Sequence, residues 1–102
     1  MLTHKHLKKM DISIKEQNNK GFAVATEGNT TAGTMTYSIS NNGFIIIDHT
    51  EVDPAFKGKG VGKQLLYNIV DMARAKQIKI LPLCPFASAM FKKLTDIQDV
   101  LK

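Results

Sequence analysis

Lys57-Gly58-Lys59-Gly60-Val61-Gly62 lies between an apolar run that ends near Val52 and a stretch whose apolar residues recur at helical spacing. Glycine at alternate positions lets the chain turn tightly and lets a ligand approach the backbone. A helix that begins directly after such a turn leaves its first N–H groups without intrahelical partners and with a partial positive charge. Strand, tight turn and helix start together form a seat for a phosphate or pyrophosphate. Lys57, Lys59 and Lys63 add cationic side chains around the same turn, which a purely structural loop does not require. The competing reading is a solvated turn with ordinary surface lysines. Two familiar phosphate signatures are excluded: the Walker spacing lacks its second glycine, and no dinucleotide fingerprint with an acidic ribose partner is present.

The segments on either side define an alpha/beta chain. Phe44-Ile45-Ile46-Ile47-Asp48-His49-Thr50-Glu51-Val52 is a strong strand, apolar on both faces at first and alternating later, which predicts a central place in a sheet. Leu65, Leu66, Ile69, Val70, Met72 and Ala73 predict an amphipathic helix over Val61 to Lys76. Ile78 to Leu83 follows as a short strand, and a helix crossing between it and the Phe44 strand predicts a parallel pair. Pro85 suits the first turn of a shorter helix carrying Phe86, Met90, Phe91 and Leu94. Upstream, Ile12 and Ile14 alternate with polar residues, Asn18-Asn19-Lys20-Gly21 supplies a turn, and Phe22 and Val24 resume the pattern. Glu27-Gly28-Asn29 turns again, Thr31 to Ser40 alternates like a strand, and Asn41-Asn42-Gly43 closes a hairpin. The segment from Asp96 to Lys102 is ambiguous.

Length and composition bound the possibilities. The chain has 102 residues, room for one domain, and a core of that size needs no disulfide or structural metal. Residues 1–9 read as a basic, flexible leader and 10–102 as the domain. His4 and His6 lack the partners that fix a metal, so no metal site is expected. No apolar run nears the roughly 20 residues of a membrane span, and the start lacks the apolar stretch of a secretory signal, so the cytoplasm is expected. Fourteen Lys and Arg against nine Asp and Glu give a net charge of +5, which favours an anionic partner. Nucleic acid is the weakest of these options, because no recognition motif accompanies the charge.

The loop resembles the signature Gln/Arg-x-x-Gly-x-Gly/Ala of the GNAT superfamily of acyltransferases, with Lys57 at the first position. Val52-Asp53-Pro54-Ala55-Phe56 resembles the family's lead-in and Lys63-Gln64-Leu65-Leu66 its helix start. His49-Thr50-Glu51-Val52 and Cys84-Pro85-Phe86 make the chain similar to the short, single-domain GNAT-like proteins, over roughly residues 10 to 95. The resemblance implies a mixed, mostly antiparallel sheet, a phosphate-binding helix and a final helix. It also implies acetyl-coenzyme A as cofactor, an amine acceptor of unknown identity, and an acceptor surface left open by the lack of helices between the first two strands.

Under that resemblance Gly58, Lys59, Gly60, Val61 and Gly62 hold the pyrophosphate, flanked by Lys57 and Lys63. The pantetheine arm follows the Val52 strand, and a backbone N–H of Val52 or Asp53 faces the developing oxyanion. Phe86, Met90 and Phe91 read first as core, with Phe91 and Lys92 also candidate edges of the groove. His49 and Glu51 share a strand face by the period of two, with Glu51 the candidate base and His49 a group that orients water or acceptor; both could equally be solvated strand residues. Cys84 is either a small buried hydrophobe or a proton relay or transient acyl acceptor. Phe86 and Phe91 occupy the helix that carries a tyrosine acid in many family members, and Tyr67 belongs to packing or surface. N-acetyl transfer is the expected activity, with a non-catalytic acetyl-coenzyme A binding or sensing module as the rival and nucleic-acid binding third.

Overall fold

Turn chemistry sets the order of the strands. In the computed structural model, which describes residues 10–102, strands β1 (Asp11–Gln17) and β2 (Lys20–Glu27) are joined by Asn18 and Asn19 at φ 53° and 65°. Both residues are left-handed, the pattern of a type I′ hairpin, which asparagine tolerates. The turn is therefore two residues long, and Lys20 and Gly21 already belong to β2. Gly28, at φ 63°, starts the next reversal into β3 (Thr30–Ile39), and Gly43, at φ 81°, precedes β4 (Phe44–Val52). After a short 3-10 turn at Pro54–Phe56 come α1 (Val61–Lys76), β5 (Lys79–Pro82), α2 (Pro85–Lys93) and a second 3-10 segment, Thr95–Val100. The expected leader and the histidines at 4 and 6 lie outside the described residues.

The sheet runs β1-β2-β3-β4-β5, antiparallel except for the parallel β4–β5 pair that α1 connects. The Phe44 strand is thus an interior strand, one place from the middle, which β3 occupies. Ala23, Ala25, Met35, Tyr37, Ile45, Ile47 and Ile80 form the inner face of the sheet and are essentially inaccessible, as are Leu65, Leu66, Ile69 and Val70 of α1. Burying each such large side chain stabilises the fold by about 1.5–3 kcal/mol. Gly33 lets α1 approach β3, since a Cβ there would lie 2.9 Å from Val61 Cγ1. The outer face carries Phe22, Val24, Thr34, Thr36, Ser38 and Ile46, none of them buried. The molecule is consequently two layers deep, with both helices on one side.

The segment that was ambiguous in sequence is pinned by charge. Arg74 donates to both Asp99 carboxylate oxygens at 3.0 and 2.8 Å and to the Asp96 carbonyl at 2.7 Å, while Ile97 and Val100 enter the core. Lys102 N–H then donates to the Ile80 carbonyl at 2.9 Å, laying the chain beside β5. No helix among the described residues is long and apolar enough to cross a membrane.

Two outcomes follow from these contacts. Gln77 ends α1 in the left-handed region at φ 57°, where a side chain is strained; Gln77→Gly should raise stability by up to about 1 kcal/mol in thermal unfolding, and no gain would show the strain to be absent. Arg74, through its hydrogen bonds, holds the Asp99 carboxyl below its usual value of 3.8. The folded chain therefore takes up that proton less readily than the unfolded one, and the contribution is complete above that value and drains away as pH falls beneath it. Between roughly pH 5 and pH 3 the wild type should lose more stability than Asp99→Asn, and parallel curves would refute the linkage.

Candidate functional site

The turn before α1 is built by local capping. The Asp53 carboxylate accepts from Ala55 N–H at 2.9 Å, Pro54 opens the 3-10 turn, and Phe56 anchors it in the core. Lys57 and Lys59 N–H groups are spent on the carbonyls of Pro54 and Phe56, each at 3.2 Å. The amides of Gly58, Gly60, Val61, Gly62 and Lys63 find no acceptor among the described residues. They form a cluster of donors at the positive end of a sixteen-residue helix, α1. Lys57, Lys59 and Lys63 are exposed around it.

The three glycines serve different ends. Gly58 and Gly60 stand at φ +80° and +75° with nothing within 4 Å of a Cβ, so the backbone angle alone requires them. Gly62 is helical, but a Cβ there would lie 2.7 Å from the Phe86 ring. Phe86 on α2 therefore lies against the start of α1. Between them runs an open groove of about 380 Å³, with Phe56, Val61, Phe86 and Met90 as its apolar lining, the loop at one end and Val52 at the other.

At the Val52 end the sheet splits. The β4–β5 ladder stops at Ile47 opposite Pro82, and the N–H groups of Leu83 and Cys84 both turn to the Ile47 carbonyl at 3.1 Å. Past that point β4 has β3 on one side and a gap on the other. Asp53 N–H donates to Ala32 O of β3 at 2.8 Å. Because successive amides alternate, Val52 N–H points the other way, into the gap. Of the two amides singled out in sequence, Val52 is the free one.

A bulge fixes which side chains face the gap. Thr36 pairs with His49 and Tyr37 with Ile47, leaving Asp48 as an extra residue in β4. Alternation is reset there, so Thr50, opposite buried Met35, faces the helices, whereas His49 and Glu51 face the open side. Simple alternation from Ile45 and Ile47 would have turned His49 and Glu51 inward. His49 Nε2 and Glu51 Oε2 lie 3.8 Å apart, the side chains 66% and 77% exposed.

Cys84 caps α2: its sulfur accepts from Ala87 N–H at 3.3 Å and lies 3.2 Å from Thr50 Oγ1, bridging the gap at its closed end. It is buried, at 4% exposure. Of its two readings, core and groove edge, Phe91 takes the first at 2% exposure, and Lys92 is exposed away from the lining. Phe86 and Met90, read first as core, line the groove instead. Thr50, Phe56 and the Asp48 bulge are the other features that sequence reasoning missed. Neither tyrosine reaches the gap: Tyr37 donates to Glu16 at 2.7 Å and, buried beneath the sheet, has its ionisation pushed well upward by desolvation and that carboxylate. Tyr67 donates to Asp96 at 2.9 Å. No group of metal-ligating side chains occurs among the described residues.

Comparison with known proteins accords with this geometry. The family model for GCN5-related N-acetyl-transferase matches residues 21–100. A GCN5-like protein from Staphylococcus aureus, solved in solution, superposes with a TM-score of 0.67 at 38% identity, over 88% of this chain and 87% of that one. The Escherichia coli ribosomal-protein-S18-alanine N-acetyltransferase superposes at 0.65 with 14% identity, over 76% of this chain but 53% of its own length, and so shares the fold. The chain thus spans about half of that larger enzyme. No curated protein sequence matches. With the family model covering most of its length, the chain belongs to the GCN5-related N-acetyltransferase family.

Proposed function

We propose that the chain transfers an acetyl group from acetyl-coenzyme A, the cosubstrate of its family, to an amine acceptor. The observation that carries this is the continuity of one groove from five unpaired amides at the start of α1 to the unpaired Val52 N–H at the sheet gap. A diphosphate fits the first set of donors, an uncharged arm fits the apolar lining of Phe56, Phe86 and Met90, and a thioester carbonyl fits the last donor. Bound there, the thioester supplies an activated acyl carbon. Val52 N–H would stabilise the negative charge that develops on its oxygen.

Glu51 stands on the open side of β4, where an acceptor can arrive, and takes the role of base through water, with His49 as its neighbour. Thr50 and Cys84 are the protic side chains at the closed end of the gap and supply the proton that a departing thiolate takes up. The absence of any phenol there favours a second reading, a module that binds acetyl-coenzyme A without turnover. We place the activity in the cytoplasm, whose reducing conditions suit the free thiol of Cys84.

Incubation with acetyl-coenzyme A and a panel of amines, following free thiol and intact protein mass, separates the two. Thiol release that depends on an amine, and falls at least about tenfold in Glu51→Gln, is the expected result. Binding without release would reject catalysis. Gly60→Ala should weaken coenzyme A binding and cost about 1–2 kcal/mol of stability, because alanine resists the left-handed angle. Gly62→Ala should weaken binding by displacing the Phe86 ring, and Gly62→Ala combined with Phe86→Leu should recover part of it. Unchanged titrations for both glycine variants would remove the loop from the site.

A further inference from the structure

We infer that Lys20, Ser38 and Asp48 are positioning residues, a latch that holds the β4 bulge and thereby aims both Glu51 and the Val52 N–H; the inference rests on the acyl-transfer reading. The residues lie on three neighbouring strands at one level of the sheet. Lys20 pairs with Ser38 across β2–β3, and Ser38 with Ile46 across β3–β4, two residues before the extra Asp48. The Asp48 carboxylate leans back over this level. One of its oxygens, Oδ2, accepts from Ser38 Oγ at 2.8 Å and from Lys20 Nζ at 2.9 Å, and Lys20 Nζ also donates to Ser38 Oγ at 3.1 Å. Three strands are tied by one triangle of polar atoms.

The consequence lies in the counting of residues. Asp48 is the extra residue between the Ile47 and His49 pairings. If it were absorbed into the ladder, every later residue of β4 would change sides. The Glu51 side chain would turn under the helices, and Val52 N–H would turn from the gap to β3. The direction of both groups therefore depends on the bulge. A bulged residue contributes no ladder pairing of its own, so the backbone holds it weakly and its side chain must do so. Asp48 and Lys20 remain 30% and 47% exposed, which screens their attraction and limits its share of global stability. Their effect is on geometry: small displacements of reacting groups cost rate far more than they cost folding.

The latch lies on the outer face of the sheet, whereas residues 57–63 lead into α1 on the inner face, so its loss should separate turnover from cofactor binding. The test uses the full chain, nitrogen-15 labelled, with Asp48→Ala, Asp48→Asn and Lys20→Met, the amine that the wild type acetylates, and acetyl-coenzyme A. Asp48→Ala should lower kcat on the order of 10- to 100-fold, while KM for acetyl-coenzyme A stays within about twofold. Its amide resonances at 49–52 should move and those at 57–63 stay. Asp48→Asn keeps an acceptor for Ser38 and Lys20 and should recover most of the rate. Lys20→Met should fall between them, with its effect not multiplying that of Asp48→Ala. Should Asp48→Ala fail to fold, the other two variants carry the same comparison. Unchanged kcat and unmoved 49–52 amides would overturn the latch. So would losses of kcat and cofactor affinity that track a lowered Tm, with shifts spread through the chain. If the wild type acetylates no amine, the functional reading falls by itself, and the amides at 49–52 alone decide whether the bulge is latched.

Discussion

Past Ile47, β4 loses its parallel neighbour, and the site exists because of that loss. Leu83 and Cys84 N–H groups make the last backbone bonds to β4, Cys84 caps the next helix and Pro85 starts it at once, so the chain leaves the sheet there. The Ile47 carbonyl absorbs the amides of Leu83 and Cys84, and β4 runs on to Val52 with β3 as its one partner. An interior strand with an unpaired backbone is costly in a closed core. It is tolerable where the gap opens to a groove that a ligand can enter.

The groove has two ends of opposite character, and each is set by a different physical demand. Left-handed backbone at Gly58 and Gly60 turns a row of N–H groups outward, whereas close packing at Gly62 brings the Phe86 ring against the helix. The first gives charge complementarity to an anion, the second a wall for something apolar. On the far side of the sheet no helix of the described residues intervenes, and His49 and Glu51 stand in the open. Under the acyl-transfer proposal, the groove and Glu51 are thereby on opposite faces of one sheet.

Much of this was legible in the chain itself. The apolar spacing from Leu65 to Ala73 and the glycine ahead of Val61 delimit α1 at both ends, because helix periodicity and caps are local properties. The parallel strand after it followed from connection rules. The bulge at Asp48 could not be read, since alternation in one strand does not reveal how many residues its partner opposes. On α2, Phe86 and Phe91 are chemically alike, and only the proximity of Gly62 decides which of them meets the groove. The segment Thr95–Val100 is short and irregular, and the Arg74–Asp99 pair that holds it spans 25 positions.

The closing contacts of the chain also protect it from its own sheet. An uncovered outer strand offers a row of hydrogen-bonding groups to any extended peptide, and aggregation begins at such rows. Leu101 and Lys102 occupy that row on β5 through Ile80. The opposite margin, β1, instead carries Asp11, Lys15 and Glu16, whose charges discourage a second strand from docking. Both borders of the sheet are thus guarded against strand addition while its interior keeps a gap.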